Sequence, residues 1–385
     1  MSLKDYKVGW ICALPTEMAA AVCMLDDRHK MLPQPSHDPN SYVFGRIGKH
    51  NVVIACLPAG VIGVTSAARV AAHMKATFTS VNVGVMVGIG GGVPSAQHDV
   101  RLGDVVVSKP GSSSGGVIQY DFGKTVEEGH FVRIGSLNRS PDSLLNAVAR
   151  LQAQHMYEES LIPTILAASV SRYPRRQAAC TYPGSSHDQL FDSSYTHPQG
   201  YNSCDGCDPA RLVERPPRTD TYPAIHYGLI ASGNQVMRDG ATRDRLKQEL
   251  DVLCFEMEAA GLLDDFPCLV IRGICDYADS HKNKRWQDYA AAVAAAYTKE
   301  LLSVMPWQSE HYSTFPVDGT LAGANHATKE RISPPEEHVK APRSVFALPY
   351  RRDPHFVVRQ SIFNQIDMRV SQEGLVTIYG LGGAG

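Results

Sequence analysis

Val81-Asn-Val-Gly-Val-Met-Val-Gly88, continued by Ile89-Gly-Gly-Gly-Val93, is the stretch on which the fold turns. Its apolar residues do not alternate with polar ones, as they would in a strand wetted on one face. The run reads as a strand buried on both faces, which belongs to an α/β sheet covered by helices. The glycines from 88 to 92 would let backbone N–H groups approach a ligand closely, or would serve a plain turn. Both readings are open at this point.

Working outward, the same grammar recurs. Upstream, the apolar run 8–14 is followed by helical spacing over 17–25. The segments 42–47 and 51–57 flank Gly48-Lys49-His50, which reads as a hairpin turn. Gly60-Val-Ile-Gly63 leads into an Ala-rich helix over about 64–75. Downstream, 104–108 and 117–122 read as strands, and 141–156 as a helix with Pro in its first turn. After a gap come a strand at 226–232, a helix at 242–250, apolar segments at 253–263 and 268–274, and an Ala-rich helix at 286–304. The expected architecture is α/β, a mixed central sheet flanked by helices on both faces. The gap, 171–221, is rich in Pro, Ser, Tyr, Asp and Cys without hydrophobic period, and reads as an insertion into one domain spanning 1–305. Residues 306–343 read as a linker. In 344–385, Gly374-Leu-Val-Thr-Ile-Tyr379 reads as a strand feeding Gly380-Leu-Gly-Gly-Ala-Gly385, the opening of a P-loop without its Lys and Ser/Thr.

Composition narrows the function. Thirty-seven Lys and Arg against 39 Asp and Glu leave a formal charge of −2, without the basic surplus of a nucleic-acid binder. No apolar stretch reaches the roughly 20 residues of a membrane span. The N-terminal residues lack the apolar core of a signal peptide. Nine cysteines scattered through the chain read as reduced thiols, so the expected compartment is the cytoplasm. Cys204-Asp-Gly-Cys207 has the spacing of a zinc knuckle, with Cys180, His187 and His197 nearby, but lacks a second clear Cys pair. It stands as a zinc candidate beside an expectation of no metal.

Three places carry chemistry. In Phe255-Glu-Met-Glu-Ala-Ala260, where a strand reads as passing into a helix, the acids Glu256 and Glu258 would suit a solvated helix N-terminus. But they are wedged among apolar neighbours, which argues for at least one buried carboxylate with a task. Asp276 lies just past the end of an apolar strand, the edge where ligands gather in α/β sheets. Glu17 holds a comparable place after the first strand, where it could equally be a helix start.

Together these motifs resemble the nucleoside phosphorylase/nucleosidase superfamily, most closely its 5′-methylthioadenosine/S-adenosylhomocysteine nucleosidase branch. The resemblance covers about 5–305. It rests on Ala13-Leu-Pro-Thr-Glu17, the 87–93 glycine segment, Leu102-Gly-Asp-Val-Val-Val-Ser108, Phe255-Glu-Met-Glu-Ala-Ala260 and Cys275-Asp-Tyr-Ala-Asp279. More narrowly, the chain looks like the fungal version at the N-terminus of NLR-type immune receptors, with 344–385 as the start of an NB-ARC- or NACHT-like domain.

The resemblance implies a nucleoside phosphorylase-like three-layer α/β/α fold and cleavage of a purine N-glycosidic bond without a cofactor. Asp276 is then the acid toward N7 of the base, with a pKa raised by burial. Glu258 binds the ribose 2′ and 3′ hydroxyls, and Glu17 positions and activates water. Met257 packs on the sugar, while Glu256, Gly88, Ile89, Gly90, Asn234, Val236 and Met237 line the substrate. The branch usually has an aromatic where Val236 stands. Bacterial hexameric phosphorylases bind phosphate with an Arg and a Ser where this chain has Met86 and Ile89, which favours hydrolysis. An Asp at the base suits adenine, and members acting in immunity imply ATP or another adenine nucleotide. Arg46, Lys49, Lys124, Arg133 and Arg238 are the cations available for its phosphates. A homo-oligomer is implied, with neither nucleic acid nor membrane as partner. A phosphorylase and a catalytically silent nucleoside-binding module are the alternatives.

Overall fold

A computed structural model describes residues 1–111, 114–200 and 203–307; the expected linker and P-loop segment fall outside them, apart from residues 306–307. In chain order the strands are β1 (Val8–Cys12), β2 (Asp27–Arg28), β3 (Tyr42–Ile47), β4 (His50–Cys56), β5 (Val83–Gly92), β6 (Val105–Ser108), β7 (Val117–Gln119), β8 (Gly123–Thr125), β9 (Phe131–Arg133), β10 (Ile225–Ser232), β11 (Val252–Glu256) and β12 (Cys268–Asp276). The helices are α1 (Pro15–Met24), α2 (Val64–Thr77), α3 (Asp142–Gln154), α4 (Ile162–Arg172), α5 (Gln177–Cys180), α6 (Gly240–Leu250) and α7 (Gln287–Val304).

Ten strands form one mixed sheet in the order β11-β10-β6-β12-β5-β1-β4-β3-β2, with β7 beside β10. β5 is central and pairs in parallel with β1 and β12, as its two-sided apolar run demands. The far edge curls back, so that Cys254 and Phe255 of β11 pair antiparallel with Gly92 and Gly91 of β5. Strands β5, β12, β6, β10 and β11 therefore close into a ring. The Ala-rich α7 lies against β5, β6 and β12 and gathers α1, α3, α4 and α5 around it. Small side chains let it sit close to the sheet, and most of its residues are buried. α2 packs on β4, and α6 on β11.

Two expectations change. The glycines at 88–92 are not a loop, because β5 continues through them to Gly92. The segment after β11 does not pass directly into a helix but makes a single 3₁₀ turn, Ala259–Gly261. Among its described residues the insertion contains short helical turns and an isolated bridge between Phe191 and Leu212. Bidentate Arg218 on Asp104 (2.6 Å to each oxygen) and Arg215 on Asp188 (3.0 Å) and on Tyr277 Oη (2.8 Å) bolt it to the domain. Tyr277, Trp286 and Tyr289 are buried core residues.

Candidate active site

Closure of the ring brings three strand ends to one spot. Gly91 of β5 faces Phe255 of β11 on one side and Asp276 of β12 on the other. Glu17 arrives from β1's neighbourhood, one turn into α1. The cavity there, of about 190 Å³, brings together Glu17, Ile89, Gly90, Val236, Met237, Glu256, Met257, Glu258 and Asp276 from among the residues singled out in the sequence. Lys282, Phe255, Cys275, Ala278, Gln287, Ile62 and Leu14 also line it. Larger hollows exist under the insertion, but there Arg101, Arg215 and Arg218 are already paired with acids.

The glycines of β5 make room for carboxylates. A Cβ on Gly88 would lie 2.4 Å from Glu17 Oε1 and 2.6 Å from Arg272 Nη1, and one on Gly91 would lie 2.8 Å from Asp276 Oδ1. Gly88 thus serves the site by letting Glu17 approach and does not line the cavity. Asn234 also stands beside the cavity, where its Oδ1 accepts from Val64 N at 3.1 Å and so holds the start of α2.

Arg272, on the doubly buried β12, is the hub, and the sequence reading passed over it. Its guanidinium is 1% exposed, pairs with Glu256 and lies 3.5 Å from Glu258 Oε2. Nη1 also donates to Ile89 O at 3.3 Å. Glu256 is further held by the N–H groups of Glu258 and Ala259, at 3.0–3.1 Å. Its oxygens are therefore committed to fixing the 256–259 turn. That turn presents Glu258, whose Oε1 accepts only a long 3.4 Å bond from Gly63 N. Burial, offset in part by Arg272, pushes the Glu258 carboxyl up to about 7. Neighbouring Glu256 and Glu17 add to the rise.

Glu17 does two jobs at once. Oε2 accepts from Ala13 N (2.7 Å) and Leu14 N (2.9 Å), capping α1, while Oε1 accepts from Ile89 N at 2.8 Å. Burial still raises its pKa against Arg272 and these amides. Oε1 retains a free lone pair for a water.

Asp276 sits beside Lys282, with Oδ2 and Nζ 2.9 Å apart, while Oδ1 accepts from Ala278 N at 2.9 Å. The sequence reading expected burial alone around this carboxyl and did not name Lys282. Burial lowers the lysine's pKa, but Asp276 outweighs it and holds the ammonium above its ordinary range. Lys282 is the only Lys or Arg lining the cavity among the described residues. Of the cations expected from sequence, Arg46 is paired with Asp27, and Arg133 with Glu249 at 3.3 Å. Val236 is half exposed at the rim, and Phe255, in edge contact with Tyr120 at 5.4 Å, is the aromatic of this cavity.

This geometry has relatives. The chain is 41% identical, over 99% of its length, to a nucleotide-binding leucine-rich repeat (NLR)-like protein of Hyaloscypha variabilis, but spans only 35% of that protein. It is 25% identical to a 5′-methylthioadenosine/S-adenosylhomocysteine nucleosidase of Mycobacterium tuberculosis, over 78% of this chain and 96% of that one. A segment of 84 residues is 38% identical to the ATP nucleosidase Cap17 of Escherichia coli, covering 20% of this chain and 17% of that one. Among solved structures, the Helicobacter pylori 5′-methylthioadenosine/S-adenosylhomocysteine nucleosidase aligns over 79% of this chain and 99% of its own, with a TM-score of 0.50 at 14% identity, a likeness of fold. Residues 7–303 match the Phosphorylase superfamily, and the chain belongs to that family.

Proposed function

We propose that the domain spanning 1–305 hydrolyses the N-glycosidic bond of an adenine nucleoside or nucleotide, ATP included, and releases adenine. One observation carries this reading: Glu17, Glu258 and Asp276 line one cavity, and the cation buried behind them, Arg272, is already occupied by carboxylates. A phosphorylase needs a cationic cradle for phosphate. Here Ile89 and Met86 offer none, Arg272 is spent and the single lining lysine, Lys282, is paired with Asp276, which favours water as the nucleophile.

In this mechanism Glu258 accepts hydrogen bonds from the ribose diol, which steadies the sugar as positive charge develops at C1′. Glu17 orients water through its free lone pair and draws off a proton. Asp276 faces the purine: it accepts from the 6-amino group of adenine, and the proton it passes to N7 as the bond breaks is relayed to it from the Lys282 ammonium 2.9 Å away. Lys282 supports Asp276 and offers a positive charge at the cavity wall to an anionic 5′ group. The nucleosidase relatives support the reaction class, and the 84-residue likeness to an ATP nucleosidase supports a nucleotide substrate. The NLR-like relative and the Gly380–Gly385 pattern support a role as effector domain ahead of a nucleotide-binding domain.

The test is to follow free base from ATP, adenosine, 5′-methylthioadenosine and inosine, with and without phosphate. Adenine release without phosphate is expected, and Asp276→Asn should slow it by about 10²–10⁴-fold. Strict phosphate dependence would overturn hydrolysis. No base from any substrate would favour a silent binding module.

A further inference from the structure

The insertion poses a physical problem. Among the described residues between Leu190 and Val213 it has almost no regular structure: two short 3₁₀ turns and a single bridge from Phe191 to Leu212. Its buried apolar side chains are few, chiefly Leu190, Phe191 and Cys207. A segment this irregular cannot hold one conformation by apolar burial alone, and small loop-rich units ordinarily rely on a staple. Even so, it is anchored to the loop that follows Asp276, where His197 N donates to Ser280 Oγ at 2.9 Å and Cys204 Sγ lies 3.6 Å from His281 O.

At this junction His197, Cys204 and Cys207 come together, each with a ligand-capable atom within 4.8 Å of the others. In a tetrahedral zinc site such atoms stand about 3.5 Å apart, given metal–ligand bonds of 2.0–2.3 Å. Closing the gap takes side-chain shifts of about an ångström for these three; the ring nitrogens of His281 stand outside that group and must swing further to reach the same ion.

Two further observations point to a ligand. The His197 ring has both nitrogens against carbonyl oxygens, Nδ1 at 2.9 Å from Pro198 O and Nε2 at 3.1 Å from Ser203 O. A neutral imidazole has only one N–H, so one nitrogen turns a lone pair toward an acceptor. His281 is 6% exposed, and neither of its ring nitrogens has a partner at hydrogen-bond distance, Asp279 Oδ1 standing 3.7 Å from Nδ1. It is stacked on Phe191 at 4.2 Å, and its centroid lies 5.3 Å from that of His197. Two imidazoles bound to one tetrahedral ion would have centroids about 5 Å apart.

We propose that His197, Cys204 and Cys207, with His281 as fourth ligand, form a structural zinc site that staples the insertion to the loop bearing Lys282. The ligand set is Cys₂His₂, closed to a fourth-position water, so the ion is structural and not catalytic. Without a metal the thiols stay protonated, burial pushing Cys204 up to about 12 and raising Cys207 as well. Binding therefore releases two protons as both sulfurs become thiolates. The consequence for the active site is positional. His281 and Lys282 are adjacent, so an ion on one fixes the backbone that aims the other at Asp276.

The test uses the full chain, purified under reductant and without chelator. About one zinc per chain is expected by elemental analysis. After chelator treatment, cobalt(II) should restore the visible bands of a tetrahedral site and an ultraviolet thiolate-to-cobalt band. Cys204→Ser with Cys207→Ser should abolish the thiolate band, and His281→Ala should weaken cobalt binding at least about tenfold. Should the double variant fail to fold, the wild-type cobalt titration decides. Wild-type protein without zinc that gives no thiolate band overturns the site, as does a Cys204–Cys207 disulfide that persists under reductant. An unchanged affinity in His281→Ala overturns the fourth ligand.

Discussion

Glu258 is where the chemistry and the electrostatics pull against each other. To accept hydrogen bonds from both ribose hydroxyls it must be ionised, yet burial beside Glu256 and Glu17 lifts its carboxyl to about 7, even with Arg272 nearby. Glu17 is raised in the same cluster, so the protons leave in successive steps that belong to the pair and not to either residue alone. The proposed mechanism therefore predicts that kcat/KM falls as pH drops below about 7, since protonated Glu258 loses its acceptor. The falling limb belongs to the free enzyme and should appear in kcat/KM against pH with adenosine as substrate. Glu258→Gln should lower kcat/KM at neutral pH by about 10²-fold or more and flatten that limb. A Gln variant that kept the wild-type acid limb would remove Glu258 from this role.

At the scale of elements, strand β5 shows what was legible in the sequence and what was not. Its two-sided apolar run marked the sheet's centre, and acids at the ends of neighbouring segments marked the site, because residue type and position along a strand are one-dimensional facts. The function of the glycines was not legible. They read either as a segment approaching a ligand or as a plain turn, whereas Gly88 and Gly91 stay in the strand so that Glu17 and Asp276 can reach across it. Arg272 was overlooked although it left a signal, since a lone Arg in a fully apolar strand must be paired. Lys282 left none, because loop geometry alone aims it at Asp276. The strand makes its own prediction. The atoms that a Cβ at Gly88 would strike are not free to swing away, Glu17 being held by three backbone amides and Arg272 by Glu256. Gly88→Ala should cost about 1–3 kcal/mol of stability and displace both side chains. Thermal melts and adenine-release kinetics should show the loss together, and an Ala variant with wild-type values for both would mean the cluster is looser than its hydrogen bonds imply.

The whole molecule carries almost no net charge, so its stability should depend on pH through particular buried groups and not through general repulsion. Two sets oppose each other. Burial would raise Asp104, but Arg218 and His226 outweigh it and hold that carboxyl below its ordinary 3.8; Asp26 is lowered in the same way by Lys299. Such acids add stability that is in place above about 4 and lost as pH falls through their lowered values. Glu17 and Glu258 act in reverse. From 4.5 to about 7 the folded chain keeps a proton on Glu258 that the unfolded chain has released, so each step up in pH across that window costs stability. The Glu258 shift alone corresponds to a loss on the order of 3 kcal/mol, complete near pH 7. The melting temperature should therefore peak on the acid side of neutrality, near pH 4–5, and decline toward pH 7, where the proposed reaction needs the carboxylates bare. Glu258→Gln, which cannot titrate, should flatten most of that decline. Melting curves of both proteins from pH 4 to 8 decide the matter: a wild-type melting temperature that held steady or rose between pH 5 and 7 would mean the carboxylate cluster is not held at the expense of stability.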